Sequence, residues 1–376
     1  MFKRTKGLLN EYERFFKVPA FDLSVYYQGK EVYRDIRGVS DEKGTPLNGK
    51  ELYNMYSASK PITCAAALLL VQEGKIALND DVASYLPAFK DVKVAKAGGL
   101  EQAQKPMKIE HLFTMTGGMS LTVGGVELEE GRRETEGKCS TVEMMDYLVK
   151  IPLAFEPGES WRYSLCHDVL AAVVEVVSGK RFGLFVKERI FDPLGMKNST
   201  FLLPDRELDK VCAQYRYFED RGYVNVGKEI QDFKFGSEYE SGGAGLVSTV
   251  EDYIRFLEGL RLGKILNTEM RMLMQKDMLT EAQRQACWVA GGYGYGLGVR
   301  VPKEGTDLRT DYGWGGAAGA YVALDEKNEI SISYAQHVLT SKNSGLNAGL
   351  IEAVKLDLGL DGDESAVWRG DGSHLA

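Results

Sequence analysis

Apolar and polar positions along this chain change period repeatedly, and each change marks a different element. Leu8 to Phe16 carries its apolar side chains at helical spacing, which predicts an amphipathic helix. From Phe21 to Gly38 the sequence FDLSVYYQGKEVYRDIRG alternates, is rich in Val, Tyr and Ile, and breaks at Gln28-Gly29. That pattern predicts a β-hairpin. After loop residues to Gly49, the run Ile62 to Val71 is almost wholly apolar, with Pro61 ahead of it and Gly74 behind. Proline is tolerated in a first helical turn and glycine stops a helix, so this is a core helix with a polar N-terminus.

Beyond Gly74, IALNDDVASYLPAF leads into a polar stretch that reaches about Lys105, where Gly98-Gly99 breaks any period. Here the chain is expected to leave its first sheet. From Ile109 to about Leu203 the pattern is helical, with no convincing strand. Thr141 followed by Glu143 gives one helix start, and Gly179 closes the helix that begins near Cys166. Residues 204–240 mix aromatic and charged side chains and fit neither period. Ser241 to Gly245 is a tightly turned segment, and Ser248-Thr249-Val250-Glu251 fits a capping box that opens a helix to about Leu260. GGYGYGLGVRV then alternates as a strand does, and AYVALDEKNEISISYAQ predicts a second hairpin turning at Lys327-Asn328. A short amphipathic helix follows in SGLNAGLIEAVKLDLG, and the polar tail from Asp361 is expected to be disordered.

A lone hairpin is too small to be stable, so the early and late strands are expected to share one antiparallel sheet. The predicted class is α+β, an antiparallel sheet flanked by helices. Residues 1–85 and 241–376 would form the sheet domain, and 86–240 a largely helical inserted domain.

Composition narrows the chemistry. At 376 residues and 44% hydrophobic content the chain has ample material for a packed core. A net charge of −8 with no long basic run argues against a nucleic-acid partner. Charged residues interrupt the N-terminus before any secretory apolar region, and no later stretch is long and apolar enough to span a membrane. A cytoplasmic protein is the expectation, unless an export signal has been removed. Cys64, Cys139, Cys166, Cys212 and Cys287 are widely and irregularly spaced, as buried free thiols would be. The histidines at 111, 167, 337 and 374 are scattered without ligand spacing, so a metal is not expected.

Three stretches carry candidate chemistry. Ser57 and Lys60 lie three residues apart at the start of the core helix, which puts both on one face. A lysine can take a serine's proton only while part of its population is neutral, and a helix N-terminus offers free N–H groups to a carbonyl under attack. Taken alone, S-x-x-K also describes a helix cap followed by a solvated lysine. Tyr163 stands just before a helix, after the Pro157-Gly158 turn, where a phenol can reach into a cleft or merely pack at its rim. Trp314-Gly315-Gly316 precedes a strong strand, and the glycines either let backbone approach a ligand or make a turn. The glycines of GGYGYGLG lack the strand-then-helix context of a nucleotide loop.

Together these segments resemble the serine β-lactamase and penicillin-binding-protein superfamily, in particular its class C-like branch and the family VIII carboxylesterases. The resemblance runs from about Ser24 to Ala335 and includes GKIALNDDVASYLPAF, IEHLFTMTGGM, FEPGESWRYS, FDPLGM and GGAGLVSTVEDYIRF. It implies a β-lactamase/transpeptidase-like fold in which Ser57 is acylated, Lys60 is its hydrogen-bonded partner and Tyr163 shuttles protons. It also implies an oxyanion hole from the backbone N–H groups of Ser57 and Ala317. Trp314, Gly315 and Gly316 stand where the lactamases and peptidases have Lys-Thr-Gly. Leu165 stands where class C enzymes have the asparagine of Tyr-x-Asn. Both departures remove polar recognition of a β-lactam, with Trp314, Gly315, Gly316 and Leu165 as substrate-binding positions. The implied function is a carboxylesterase for small or medium esters, which requires no cofactor, with a small-molecule ester or amide as its partner. A β-lactamase, a D-amino-acid peptidase or an acyltransferase of the same fold are alternatives, as is a sensor that acylates without turnover.

Overall fold

The computed structural model describes residues 1–376 except 122–123, 229–232, 290–291, 304, 306–308 and 369–376. The N-terminal helix, α1, spans Lys3–Arg14 and begins earlier than its apolar spacing indicated. The first hairpin is present as β1 (Ala20–Tyr27) and β2 (Lys30–Gly38). Its turn residues Gln28 and Gly29 take φ of 52° and 75°, the left-handed pair that a two-residue hairpin needs. The core helix, α2, runs over Lys60–Gln72, and every residue from Lys60 to Leu70 is buried. Alanines and leucines on all its faces suit a helix surrounded by protein.

The other five strands of the main sheet come from the end of the chain: β3 (Tyr293–Tyr295), β4 (Arg300–Pro302), β5 (Tyr312–Gly315), β6 (Tyr321–Asp325) and β7 (Ile330–Ala335). Their order is β2-β1-β7-β6-β5-β4-β3, antiparallel throughout. The first and last strands of the sheet pair one strand in from its β2 edge, with Asp22 opposite Ala335 and Tyr27 opposite Ile330.

Helices cover both faces. Between the two sheet segments lie α3 (Thr141–Leu148), α4 (Cys166–Ser178), α5 (Val250–Arg261) and α6 (Glu281–Ala286), and α7 (Gly349–Asp357) follows β7. On one face Phe21, Leu23 and Val25 of β1 and Ile330, Ile332 and Tyr334 of β7 pack with α1 and α7. On the other, Val322, Leu324 and Ala335 join a core with α2, α4 and α5. This sandwich leaves the start of α2 at one end of β5.

Several expectations are corrected. The N-cap of α3 is Ser140, in a reciprocal capping box with Glu143. That of α5 is Thr249, which accepts from Asp252 N, because Ser248 is still extended and paired with Tyr53. Ala97-Gly98 turns a small hairpin, Lys93–Lys96 with Gly99–Gln102. Gln214–Phe218 and Gly222–Gly227 are also strands, and Val338–Leu339 adds to them in parallel. Residues 361–368 of the polar tail are ordered, and Trp368 is buried against Phe15 and Phe16 at ring distances of 5.2 and 5.0 Å. The last residues of the tail, 369–376, lie outside the described residues, His374 among them. All five cysteines are free thiols, four of them buried and Cys287 half-buried. Among the described residues no helix is long and apolar enough to cross a membrane.

Two buried histidines tie stability to pH. Burial lowers the pKa of His167 to about 3 and that of His337 to about 4. In His337, Nδ1 faces Cys212 O at 2.9 Å and Nε2 accepts from Asn54 N at 3.3 Å, so a second ring proton would displace a donor. The unfolded chain protonates these rings near pH 6.5, so the stability they hold above that value is lost as pH falls toward 4. At pH 5 the loss is about 2 kcal/mol for each ring. Asp22 acts in the opposite sense, because burial raises its carboxyl to about 7 and its contribution declines as pH rises from 4 to 7. His337→Gln is therefore expected to flatten the change in urea unfolding free energy between pH 7 and pH 5 by about 2 kcal/mol relative to the parent. An unchanged slope would show that His337 titrates normally.

Candidate active site

Ser57 lies on a 3-10 turn, Tyr56–Ser59, that runs straight into α2 at Lys60. It is thus one turn ahead of the regular helix, not on its first residue. The turn is forced by Tyr56, whose φ is 47°, a left-handed conformation that costs a bulky residue on the order of 1–3 kcal/mol. Surrounding bonds hold it there. Tyr56 OH donates to Gln214 Oε1 at 2.8 Å, Ser59 Oγ donates to Tyr56 O at 2.5 Å, and Leu246 N donates to Ser59 Oγ at 2.9 Å.

Lys60 is 2% exposed and its Nζ donates to Ser57 Oγ at 3.2 Å and to Gly243 O at 2.7 Å. The same ammonium lies 4.6 Å from the centre of the Tyr163 ring, a cation–π contact. Gly243 lies in the turned segment Ser241 to Gly245, to which the sequence reading gave no part in the site. Gly242 and Gly243 let the turned segment lie against the start of α4, since added Cβ atoms would fall 2.4 Å from His167 O and 2.4 Å from Asp168 Oδ2 respectively. Asp168 is buried, and its Oδ1 accepts from Ser241 Oγ at 2.6 Å and Tyr239 OH at 2.8 Å. Burial raises its carboxyl pKa above the ordinary value, while the two hydroxyls and the charge of Lys60 oppose the rise. A carboxylate in the first turn of α4, five residues after Tyr163, was the available signal.

Tyr163 and Trp314 meet across the cleft from Lys60. Their rings are stacked, with centres 5.8 Å apart, and Trp314 Nε1 donates to Tyr163 OH at 3.2 Å. That bond stabilises negative charge developing on the phenol oxygen and leaves its own proton free to point elsewhere. Tyr295 supports the indole edge-on at 5.2 Å. Past Trp314 the chain turns through Gly316 to Gly319, closed by Gly316 N to Ala320 O at 2.8 Å. A Cβ on Gly316 would fall 2.2 Å from Met55 O, so only glycine lets this turn touch the backbone just ahead of Ser57. Gly315 is less constrained, its nearest atom being Ala320 O at 3.3 Å.

Ser57, Tyr163, Trp314, Gly315, Gly316 and Ala317 all line one cavity of about 520 Å³. Trp288, Tyr293, Arg300, Tyr321 and Asn347 complete much of its wall, and none of them was read from the sequence. Arg300 is 7% exposed, ion-paired with Asp311, and donates to Tyr321 OH at 2.8 Å. Leu165 does not line the cavity. It is 1% exposed, at the N-cap of α4, and belongs to the main hydrophobic core. His111, His167 and His337 are also absent from the lining. His167 Nε2 instead faces Phe113 O at 3.2 Å, and His111 Nδ1 accepts from Lys108 N at 3.1 Å. Among the described residues no group of three or more His, Cys, Asp or Glu side chains could hold a metal ion. A hydroxyl, a buried ammonium and a phenol around an apolar cavity are the groups needed to move an acyl group through serine.

Comparison with known proteins agrees in fold and extent. The model of a family described as Beta-lactamase matches residues 12–354. Protein Rv1367c of Mycobacterium tuberculosis is 29% identical over 331 residues, 80% of each chain. Esterase EstB of Burkholderia gladioli is 31% identical over 260 residues, 62% of this chain and 63% of that protein. The solved structure of EstCE1, a hydrolase with promiscuous acyltransferase activity, superposes with a TM-score of 0.75 at 24% identity, covering 94% of this chain and 97% of that one.

Proposed function

The chain belongs to the Beta-lactamase family, and from that premise we propose that it is a serine hydrolase that forms an acyl-enzyme at Ser57, a carboxylesterase for small or medium esters. The observation that carries this reading is the convergence of Ser57, Tyr163 and Trp314 on one cavity, with Lys60 bonded to Ser57 from behind. In acylation the Tyr163–Lys60 pair starts one proton short of a phenol plus an ammonium, so it takes the Ser57 Oγ proton as that oxygen bonds to the ester carbonyl carbon. The carbonyl oxygen takes negative charge beside the N–H groups of Ser57 and Ala317. Collapse breaks the C–O bond to the alcohol, which leaves with a proton from Tyr163. Water then adds to the acyl carbon, gives its proton to the same pair, and releases the acid with Ser57 restored. Esterase EstB is a relative whose name agrees with this activity.

Ester specificity rests on Trp314. A penicillin or cephalosporin brings a carboxylate and an acylamido group, and this wall offers an indole whose N–H is already bonded to Tyr163. Arg300, the cation in the lining, is already paired with Asp311. Leaving such polar groups without partners costs roughly 1–3 kcal/mol each, more when charged. Hydrolysis of short-chain p-nitrophenyl esters is therefore expected to exceed that of nitrocefin by at least about a hundredfold in kcat/KM. Comparable efficiency on the two would transfer the assignment to a β-lactamase.

A further inference from the structure

Trp288 is a large apolar side chain left 62% exposed, yet it is surrounded by rings. Its centre lies 5.6 Å from Tyr163, 5.7 Å from Trp161 and 5.9 Å from Trp314, at interplanar angles of 67°, 81° and 48°. It lines the same cavity as Ser57. An exposed indole at the mouth of a site, held in place, is the profile of a binding anchor.

The segment that carries it is firmly attached. Thr280 and Gln283 form a reciprocal capping box at the start of α6. Gln283 Nε2 donates to Gly158 O at 2.8 Å, which ties α6 to the turn that leads into Tyr163. Arg284 pairs with Asp277 and donates to Leu279 O at 2.9 Å. Trp288 follows two residues after this anchored helix, so the segment that carries the indole is tied to the turn that leads into the phenol.

We propose that Trp288, set edge-on to Tyr163 and tilted against Trp314, forms one wall of a slot in this cavity that takes a flat, uncharged aryl group on the alcohol side of the substrate ester. The assignment to the alcohol side rests on the reading above, in which Tyr163 hands a proton to the leaving oxygen. The preference for no charge comes from the rings. Lys60 already lies on the Tyr163 face, and Arg300 lies 5.0 Å from the centre of Tyr293 and 4.8 Å from that of Tyr321. A cationic substrate would meet at Tyr163 a face whose negative potential Lys60 already answers, and would be repelled by the Lys60 and Arg300 charges around the cavity.

The test uses Trp288→Ala and Trp288→Phe in the full chain. The ratio of kcat/KM for 2-naphthyl acetate to that for ethyl acetate is expected to fall at least tenfold in Trp288→Ala, through KM, and to return within threefold of the parent in Trp288→Phe. A ratio within threefold of the parent in Trp288→Ala, or a Phe variant as impaired as the Ala variant, would overturn the slot. Calorimetric titration of Ser57→Ala with 2-naphthol reads the slot without turnover. There Trp288→Ala is expected to weaken binding at least fivefold, and an unchanged Kd overturns the proposal even if both esters prove inert and the esterase reading itself fails. N-methylquinolinium, a flat cation of similar size, is expected to bind Ser57→Ala at least tenfold more weakly than 2-naphthol. Equal or tighter binding of the cation would overturn the charge preference.

Discussion

Ser57→Ala is expected to abolish both covalent labelling by a fluorophosphonate probe and ester hydrolysis, with kcat falling by roughly 10⁴-fold or more. Loss of the nucleophile removes the covalent route, and what survives in serine hydrolases comes from oxyanion binding and substrate positioning alone. Other hydroxyls and thiols near the site are poorly placed to substitute. Ser59 is fully buried and bonded to Tyr56 O, and Cys64 is buried beside His167 with its thiol pKa pushed well up by desolvation. The labelled peptide in the parent should contain Ser57. Label on another residue, with hydrolysis kept in the alanine variant, would end the assignment.

Tyr163→Phe is expected to lower kcat on p-nitrophenyl esters by about 10² to 10⁴, the range of a general acid–base group. The variant keeps the ring that stacks on Trp314 and under Trp288, so packing is largely retained. It leaves the Trp314 N–H without its acceptor, a cost of about 1–3 kcal/mol that falls on stability. A urea titration beside the kinetics separates the two effects. Loss below about threefold would move proton transfer to Lys60 alone, since the buried histidines do not line the cavity.

What could be read from the sequence was whatever is local. Alternation around Gln28-Gly29 and Lys327-Asn328 gave both hairpins, because a two-period pattern with a turn needs no distant partner. The apolar run after Pro61 gave α2 for the same reason. The strands at 214–227 were not legible, since their mixed side chains are half-buried at the edge of the molecule and their parallel partner is Val338–Leu339. Leu165 was expected in the pocket because the resemblance puts it at the asparagine of Tyr-x-Asn, but the backbone turns into α4 there and carries the side chain to the core. Asp168 and Gly243 act on Lys60 only through the fold. Trp288 gains its meaning from rings at 161, 163 and 314, which no window of sequence brings together.

The pairing of β1 with β7 has a consequence for how the chain is made. Translation delivers residues 20–38 first, and the strand that fills the inner edge of that hairpin follows roughly 300 residues later. At about 5–20 residues per second the edge waits on the order of tens of seconds. An unfilled strand edge is a template for wrong partners, and Asp22 and Ser24, polar positions within β1, make this one a poor template. Gly243, which receives the Lys60 ammonium, emerges well before the strand that carries Trp314. Until residues 312–315 have left the ribosome, Ser57 has a lysine within reach and no completed cavity around it.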